Sequence, residues 1–266
     1  MRARKRFGQH FLTDEGVLAR IVAAVNPAAD DRLLEIGPGH GALTELIYPE
    51  AGHMVAIEID RDLIAMLKAR FSRLEVINAD VLALDLKETL GHQRWRLVGN
   101  LPYNISSPLL LKLYGHLDAI KDMHFMFQRE LSQRLAATPG TKDWGRLSVM
   151  TQYFCHVQPL FDVPPEAFDP PPQVQSQVIR LWPREQRQAV DVEHLSMVLR
   201  TAFSARRKRL SNALKSLQPD WDRLQAFDIL PSQRPDELSV DAFVQIALAG
   251  LDDRDESGSE SGSAET

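Results

Sequence analysis

The stretch Arg32-Leu33-Leu34-Glu35-Ile36-Gly37-Pro38-Gly39-His40-Gly41 decides how this chain folds. Arg32 to Ile36 reads as a short buried strand. The glycines that follow permit a tight turn and let the backbone approach a ligand closely, and a helical stretch then runs to about Tyr48. The same alternation continues outward. Met54–Ile59, Leu74–Asn78, Trp95–Val98 and Met123–Phe127 read as strands. Asp62–Phe71, with Leu63, Met66, Leu67 and Arg70 on one face, and Pro108–Leu117 read as helices. Upstream, Thr13-Asp14-Glu15 starts a helix carrying Val17, Leu18, Ile21, Val22 and Val25, and Asn26-Pro27 ends it. Alternation of this kind predicts a doubly wound α/β sheet, parallel and covered on both faces.

Beyond residue 128 the pattern changes. Ser148–Val157 and Val174–Leu181 read as strands flanking a proline-rich turn, Pro164-Pro165 to Pro170-Pro171-Pro172, and predict an antiparallel hairpin at the sheet edge. From about Asp191 to Gly250 the periodicity is purely helical. The expected organisation is therefore a sheet domain over residues 1–185, a linker Pro183–Ala189, a small all-helical domain over 190–250, and a disordered acidic tail over 251–266, rich in Ser, Gly and Glu.

Composition narrows the function classes. With 266 residues and 44% hydrophobic content the chain can build a real core. Cys155 is its single cysteine, which excludes an intrachain disulfide scaffold and points to a reducing, cytoplasmic setting. No run approaches the ~18 apolar residues of a membrane helix, and no signal-peptide core follows the basic N-terminus. The histidines show no metal-ligand spacing, so no metal is expected. The net charge of −5 is misleading, because six acids against Arg254 in Asp252–Thr266 supply all of it. Two basic clusters stand out from the neutral remainder: Arg4, Lys5 and Arg6 near the start, and Arg206, Arg207, Lys208 and Arg209 in a stretch without acids. Such clusters suit a phosphate backbone, whatever the total charge.

Taken alone, the glycine turn is also compatible with a ligand-free strand-to-helix connection. Glu58 adds weight, because it closes the second strand 19 residues after Gly39, where an acid can accept both hydroxyls of a ribose. Asp80 sits at the end of the third strand, where it could meet an adenine amino group. A nicotinamide dinucleotide would also satisfy these features. The fourth strand argues otherwise, since it delivers Asn100-Leu101-Pro102-Tyr103 to the crevice at the carboxyl ends of the strands. Hydride transfer has no use for that tetrapeptide, whereas methyl transfer to a nucleobase amino group does. The Asn100 side-chain oxygen and a carbonyl at Leu101 or Pro102 can accept the two amino hydrogens. That aims the nitrogen lone pair at an activated methyl group, and Tyr103 can stack on the base.

These motifs resemble those of the ribosomal RNA adenine dimethyltransferases, in particular the small-subunit branch. The resemblance runs to about residue 250. It rests on Lys5-Arg6-Phe7-Gly8-Gln9-His10-Phe11-Leu12, the Glu35–Gly39 turn, Asn100–Ser106, Gly145–Val149, Ala167-Phe168-Asp169-Pro170-Pro171-Pro172-Gln173-Val174 and Arg206-Arg207-Lys208. It implies a Rossmann-like class I methyltransferase fold with S-adenosyl-L-methionine as donor. The implied targets are two adjacent adenosines near the 3′ end of 16S rRNA, within a small ribosomal subunit or its precursor. It further implies donor contacts from His10, Leu12, Gly37, Gly39, Glu58, Asp80 and Asn100, and a sandwich of Tyr103 and Phe168 around the target base. Arg4, Lys5, Arg6, Arg206, Arg207 and Lys208 are the expected RNA contacts, and the enzyme is expected to act as a monomer without a membrane partner. The family most often has Asn where this chain has His10. Two other readings share the fold: a catalytically inactive ribosome-assembly or nucleic-acid-binding factor, and a 23S rRNA adenine methyltransferase. Intact Asn100, Pro102, Tyr103 and Glu58 argue against the first, and Arg206-Arg207-Lys208 with the helical domain argues against the second.

Overall fold

The computed structural model describes residues 10–256. Arg4, Lys5, Arg6 and the segment 257–266 lie outside the described residues. Two compact units emerge: residues up to Gln133 together with Cys155–Pro183, and Arg134–Phe154 together with the chain from Arg184 onward.

The first unit holds strands β1 (Phe11–Leu12), β2 (Arg32–Ile36), β3 (His53–Glu58), β4 (Glu75–Asn78), β5 (Trp95–Asn100), β6 (Ile120–Gln128), β7 (Cys155–Val163), β8 (Phe168–Asp169) and β9 (Ser176–Pro183). Seven of them form one sheet in the order β4-β3-β2-β5-β6-β9-β7. The first five in that order are parallel, and β9 pairs antiparallel with both β6 and β7. The Rossmann-like reading holds, with the late hairpin at the sheet edge. Helix α1 (Glu15–Val25) precedes β2, and α2 (Ala42–Ile47), α3 (Arg61–Arg70), α4 (Leu86–Leu90) and α5 (Ser106–Leu113) connect the parallel strands. Asp14 caps α1 by accepting the Val17 amide at 2.9 Å, so the helix begins one residue after the expected Thr13 signal. Apolar residues of α1, β2, β3, β4 and α3 form one continuous core.

Three departures have clear causes. Ser148–Val157 is mostly not a strand: Arg146–Phe154 is a helix, α7, and β7 starts only at Cys155. Val149, Met150, Tyr153 and Phe154 are buried together, which is helical spacing, but a short apolar run rich in Val, Tyr and Phe fits either period. Residues 134–154, α7 included, group with the C-terminal helices, not with the sheet. The predicted helix Pro108–Leu117 tightens after α5 into a 3-10 turn, Tyr114–Ala119. Finally, β1 and β8 form a separate antiparallel pair, Phe11 opposite Asp169 and Leu12 opposite Phe168, too short to leave a period in the sequence.

The second unit is helical: α6 (Arg129–Leu135) enters it, followed by α7, α8 (Val192–Ser204), α9 (Leu210–Ala213), α10 (Trp221–Gln225) and α11 (Val240–Glu256). The last helix continues through residues 251–256, where the sequence reading started the disordered tail.

At the amino ends of β2, β5 and β6 lies a buried ionic cluster. The Arg96 guanidinium donates to Asp122 through Nε (2.8 Å) and Nη2 (3.0 Å), to Asp31 (2.7 Å) and to the Val25 and Asn26 carbonyls at the end of α1. Burial alone would raise the Asp31 and Asp122 carboxyls. Hydrogen bonds and charge from Arg96, joined by Lys121 at Asp31 and by His124 and Arg180 at Asp122, more than offset it and hold both low. Arg96→Met should therefore cost about 3–5 kcal/mol, since it strands two buried carboxylates. Their stabilising contribution is present above the ordinary carboxylate pKa and is lost as pH falls through the lowered values. Urea denaturation near neutral pH should show the full loss for Arg96→Met. Equal midpoints for the two proteins would mean the cluster is energetically neutral.

Candidate functional site

A cavity of about 330 Å³ opens at the carboxyl ends of β2, β3, β4 and β5. In doubly wound sheets a crevice forms where the strand order reverses, and here that point lies between β2 and β5. A Cβ on Gly99 would lie 2.6 Å from the Ile36 carbonyl oxygen, so glycine is needed where β5 passes the end of β2, immediately before Asn100.

The turn after β2 holds Gly39 at φ 58°, with the Phe11 ring 3.0 Å from where a Cβ would stand. Its amide donates to Glu58 Oε2 at 3.2 Å, while the Asp60 amide donates to Glu58 Oε1 at 2.9 Å. Burial raises the Glu58 carboxyl against the partial relief of these backbone bonds. Asp80 is exposed at the cavity rim and accepts the Leu82 amide at 2.9 Å. Glu35, which the sequence reading quoted only as part of the turn motif, also lines the cavity. It is 2% exposed and accepts from Thr44 Oγ at 2.6 Å. Burial, opposed by the Thr44 bond and reinforced by the Glu58 charge, raises its carboxyl to about 7.

At the end of β5 the side chains are fixed by neighbours. Asn100 donates from Nδ2 to the His10 carbonyl at 2.9 Å, which leaves Oδ1 as an acceptor. Tyr103 Oη shares a hydrogen bond of 2.8 Å with Ser176 Oγ at the start of β9. Burial pushes the Tyr103 phenol up, in part countered by Ser176. His10 closes the group: its Nδ1 lies 2.7 Å from the Pro170 carbonyl oxygen, and its ring lies 6.0 Å from the Tyr103 ring at 28° between planes.

Ten of the expected residues thus line one cavity: His10, Leu12, Gly37, Gly39, Glu58, Asp80, Asn100, Leu101, Pro102 and Tyr103. Phe168 does not. It is 4% exposed and packs in the core with Leu12, Val163, Ala167 and Val178, because its pairing with Leu12 turns its ring inward. The expected Tyr103–Phe168 sandwich is absent from this arrangement. In the helical unit, Arg206–Lys208 form a turn between α8 and α9. Arg206 is held by its own unit, donating to the Lys142 and Thr141 carbonyls at 2.6 and 2.7 Å and pairing with Asp236 at 3.4 Å. Arg207, Lys208 and Arg209 are exposed. Ser176 and the backbone partners of Glu58 and Asn100 carry no chemical signature of their own, so sequence reasoning missed them.

Comparison with known proteins supplies the wider context. The family model for ribosomal RNA adenine dimethylase matches residues 1–249. The chain is 51% identical over 252 residues to ribosomal RNA small subunit methyltransferase A of Nitrosococcus oceani, covering 92% of this chain and 95% of that one. It is 48% identical over 252 residues to the protein of the same name from Pseudomonas aeruginosa, covering 92% and 94%. Among solved structures, a dimethyladenosine transferase from Plasmodium falciparum matches with a TM-score of 0.80 and 28% identity, over 94% of this chain and 98% of that one. A 23S rRNA methyltransferase, ErmE, matches with a TM-score of 0.72 and 24% identity over 91% and 99%, a likeness of fold alone.

Glu35 generates a pH prediction. Its folded carboxyl is raised, so the stabilising contribution is complete below the ordinary pKa near 4.5 and is lost as pH rises through about 7. Glu35→Gln keeps an acceptor for Thr44 and cannot ionise. Relative to wild type, its Tm should fall less between about pH 5 and 8, with a difference of at most about 3 kcal/mol. Parallel Tm profiles for the two proteins would contradict the assignment.

Proposed function

The chain belongs to the ribosomal RNA adenine dimethylase family, and on that premise we propose that it transfers methyl groups from S-adenosyl-L-methionine to the exocyclic amino groups of two adjacent adenosines near the 3′ end of 16S rRNA. The observation that carries this reading is the meeting of Asn100-Leu101-Pro102-Tyr103 with the glycine turn and Glu58 in one cavity. The substrate is the rRNA within a small subunit or its precursor, the enzyme acts as a monomer, and its setting is the cytoplasm. Among the described residues no helix is long and apolar enough to cross a membrane.

The residues fit the donor. Gly37 has φ 69° and nothing within 4 Å of where its Cβ would be, so its backbone offers open space to the methionine portion. Glu58 presents a buried carboxylate to the ribose hydroxyls, held in place by two backbone amides. Asp80 sits where the adenine would lie, and His10, Leu12 and Asn100 complete the wall. When bound, the donor supplies a methyl group already activated by its sulfonium. The protein's part is alignment. Asn100 Oδ1 and a carbonyl at Leu101 or Pro102 accept the amino hydrogens, which localises the nitrogen lone pair and points it along the transfer axis. Tyr103, anchored through Ser176, supplies a face for the base. Proximity and orientation of this kind account for much of an intramolecular rate advantage. The sheet unit is thus the methyl-transfer unit. The helical unit, with Arg207 and Lys208 exposed, supplies RNA contact. Arg206 serves that contact by holding the turn.

Two measurements test the reading. Glu58→Ala removes a charged acceptor from ribose hydroxyls, worth ~1.5–3 kcal/mol. Calorimetry should show S-adenosylmethionine binding roughly 10–100-fold weaker, and unchanged affinity in a folded variant would remove Glu58 from the donor site. Asn100→Ala should slow single-turnover methylation of undermethylated small subunits roughly 100–1000-fold, with thermal stability near wild type, by analogy with loss of one transition-state hydrogen bond. A rate within about threefold of wild type would take Asn100 out of the chemical step, and absence of methyl transfer by wild type itself would favour the inactive assembly-factor reading.

A further inference from the structure

We propose that Lys112 is a positioning residue for the adenine end of the donor site, acting through the loop that carries Asp80. The inference rests on the donor reading of the cavity and deepens it by assigning a role there to a residue that does not line the cavity. Asp80 stands at the rim, where β4 has ended and the chain turns irregularly until Asp85 caps α4. A loop is a less precise platform than a strand or helix, so a carboxylate that reads a base edge from it needs outside support.

Two short chains of hydrogen bonds run from Lys112 to Asp80. Lys112 stands half-buried near the end of α5, and its Nζ donates to the Leu82 carbonyl at 2.7 Å and to the Leu84 carbonyl at 2.5 Å. The amides of the same two residues turn back to Asp80. Leu82 donates to Asp80 Oδ1 at 2.9 Å, and Leu84 donates to the Asp80 main-chain carbonyl at 3.0 Å. Both carbonyl partners of Lys112 therefore belong to residues that orient Asp80, and Oδ2 is the oxygen offered to an adenine amino group. An ammonium with three donors on a flexible stem suits the task of gathering carbonyls from an irregular loop. The end of β4 is fixed separately, since the Ala79 amide and Asn78 Nδ2 both donate to the Glu58 carbonyl at 3.1 Å. The ribose and adenine acids thus start from one frame, and the turn beyond Asp80 is what Lys112 adds to it. The same helix holds the reacting segment at its other end, where Ser106 Oγ donates to the Pro102 carbonyl at 3.3 Å.

A double-mutant cycle separates this role from general support of the fold. Lys112→Met keeps most of the stem and removes the donors, and Lys112→Arg keeps donors on a stem of similar reach. Both are made in the full-length wild type and in Asp80→Ala. Calorimetry measures the affinity of each protein for S-adenosylhomocysteine and for its inosine counterpart, in which a carbonyl replaces the exocyclic amino group. Wild type should prefer the amino compound roughly 10–100-fold, the range for a hydrogen bond to a charged acceptor. Lys112→Met should bind S-adenosylhomocysteine roughly 3–10-fold more weakly and lose the same factor of that preference, while Lys112→Arg recovers most of both. In Asp80→Ala, Lys112→Met should cost no more than about twofold, because the two residues act as one unit. The inference is overturned if Lys112→Met binds both compounds as wild type does. It is equally overturned if Lys112→Met weakens both compounds alike, or weakens binding as much in Asp80→Ala as in wild type, since the lysine then only supports the fold. If Asp80→Ala itself is silent, Asp80 and Lys112 both leave the adenine end while the donor site stands. If wild type binds neither compound, the donor reading falls as well.

Discussion

Parallel pairing of β2 with β5, with Leu33, Leu34 and Glu35 opposite Arg96, Leu97 and Val98, is the constraint on which the site depends. Chain order runs one way from β2 toward β3 and β4 and the other way from β5 toward β6, so the loops leaving these two strands cannot cover the crevice between them. Gly99 allows the close approach, since any side chain would collide with the Ile36 carbonyl. That contact brings the glycine turn after β2 and the Asn100–Tyr103 segment after β5 into one cavity. A ligand spanning both then meets a carboxylate for hydroxyls at one end and an acceptor for an amino group at the other.

The two ends of these strands use charge in opposite ways. At the amino ends, Arg96 draws Asp31 and Asp122 into a nearly complete set of short hydrogen bonds, and both carboxyls are held low. At the carboxyl ends, Glu35 and Glu58 have no cation among their hydrogen-bond partners, and both are raised. A paired cluster stabilises the ionised state and stiffens the strands it joins. At the carboxyl ends burial raises both acids, and the Glu58 charge adds to the rise at Glu35. Perturbed acids of this second kind concentrate in functional clefts. His124 sits between the regimes, buried on β6 and lowered to about 4, so it adds no charge to either near neutral pH.

Much of this was legible from the residues. Arg32–Ile36 was read to the residue, because a strand followed by glycines at alternate positions has few other conformations. The parallel pairing followed from alternation, and eight cavity residues followed from strand ends, while His10 and Leu12 came only with the family resemblance. What escaped had weak local signatures. The helix Arg146–Phe154 looked like a strand because β-branched and aromatic residues dominate a short apolar run, and only its packing in the helical unit settles the period. Arg206 looked like one more base in a phosphate track, yet three acceptors distant in sequence, at Thr141, Lys142 and Asp236, hold it. Phe168 carried the right motif, but which way its ring points depends on a two-residue pairing with Leu12, some 156 positions away.

Several of the site's fixed points are held by backbone. Glu58 is held by the amides of Gly39 and Asp60, Asn100 by the His10 carbonyl, and the His10 ring by the Pro170 carbonyl. A sequence displays side chains and hides which main-chain groups will face them, so the reacting residues could be named in advance while their restraints could not. The same fact shapes how the site responds to change. Substituting a neighbour such as Gly39 or Pro170 alters the path of the chain but leaves its amide or carbonyl chemistry largely intact, whereas removing Glu58 or Asn100 deletes a functional atom outright. Orientation in this cavity is accordingly a property of the fold, supplemented by contacts with side chains on both sides, such as Thr44 with Glu35, Tyr103 with Ser176 and His10 with Tyr103.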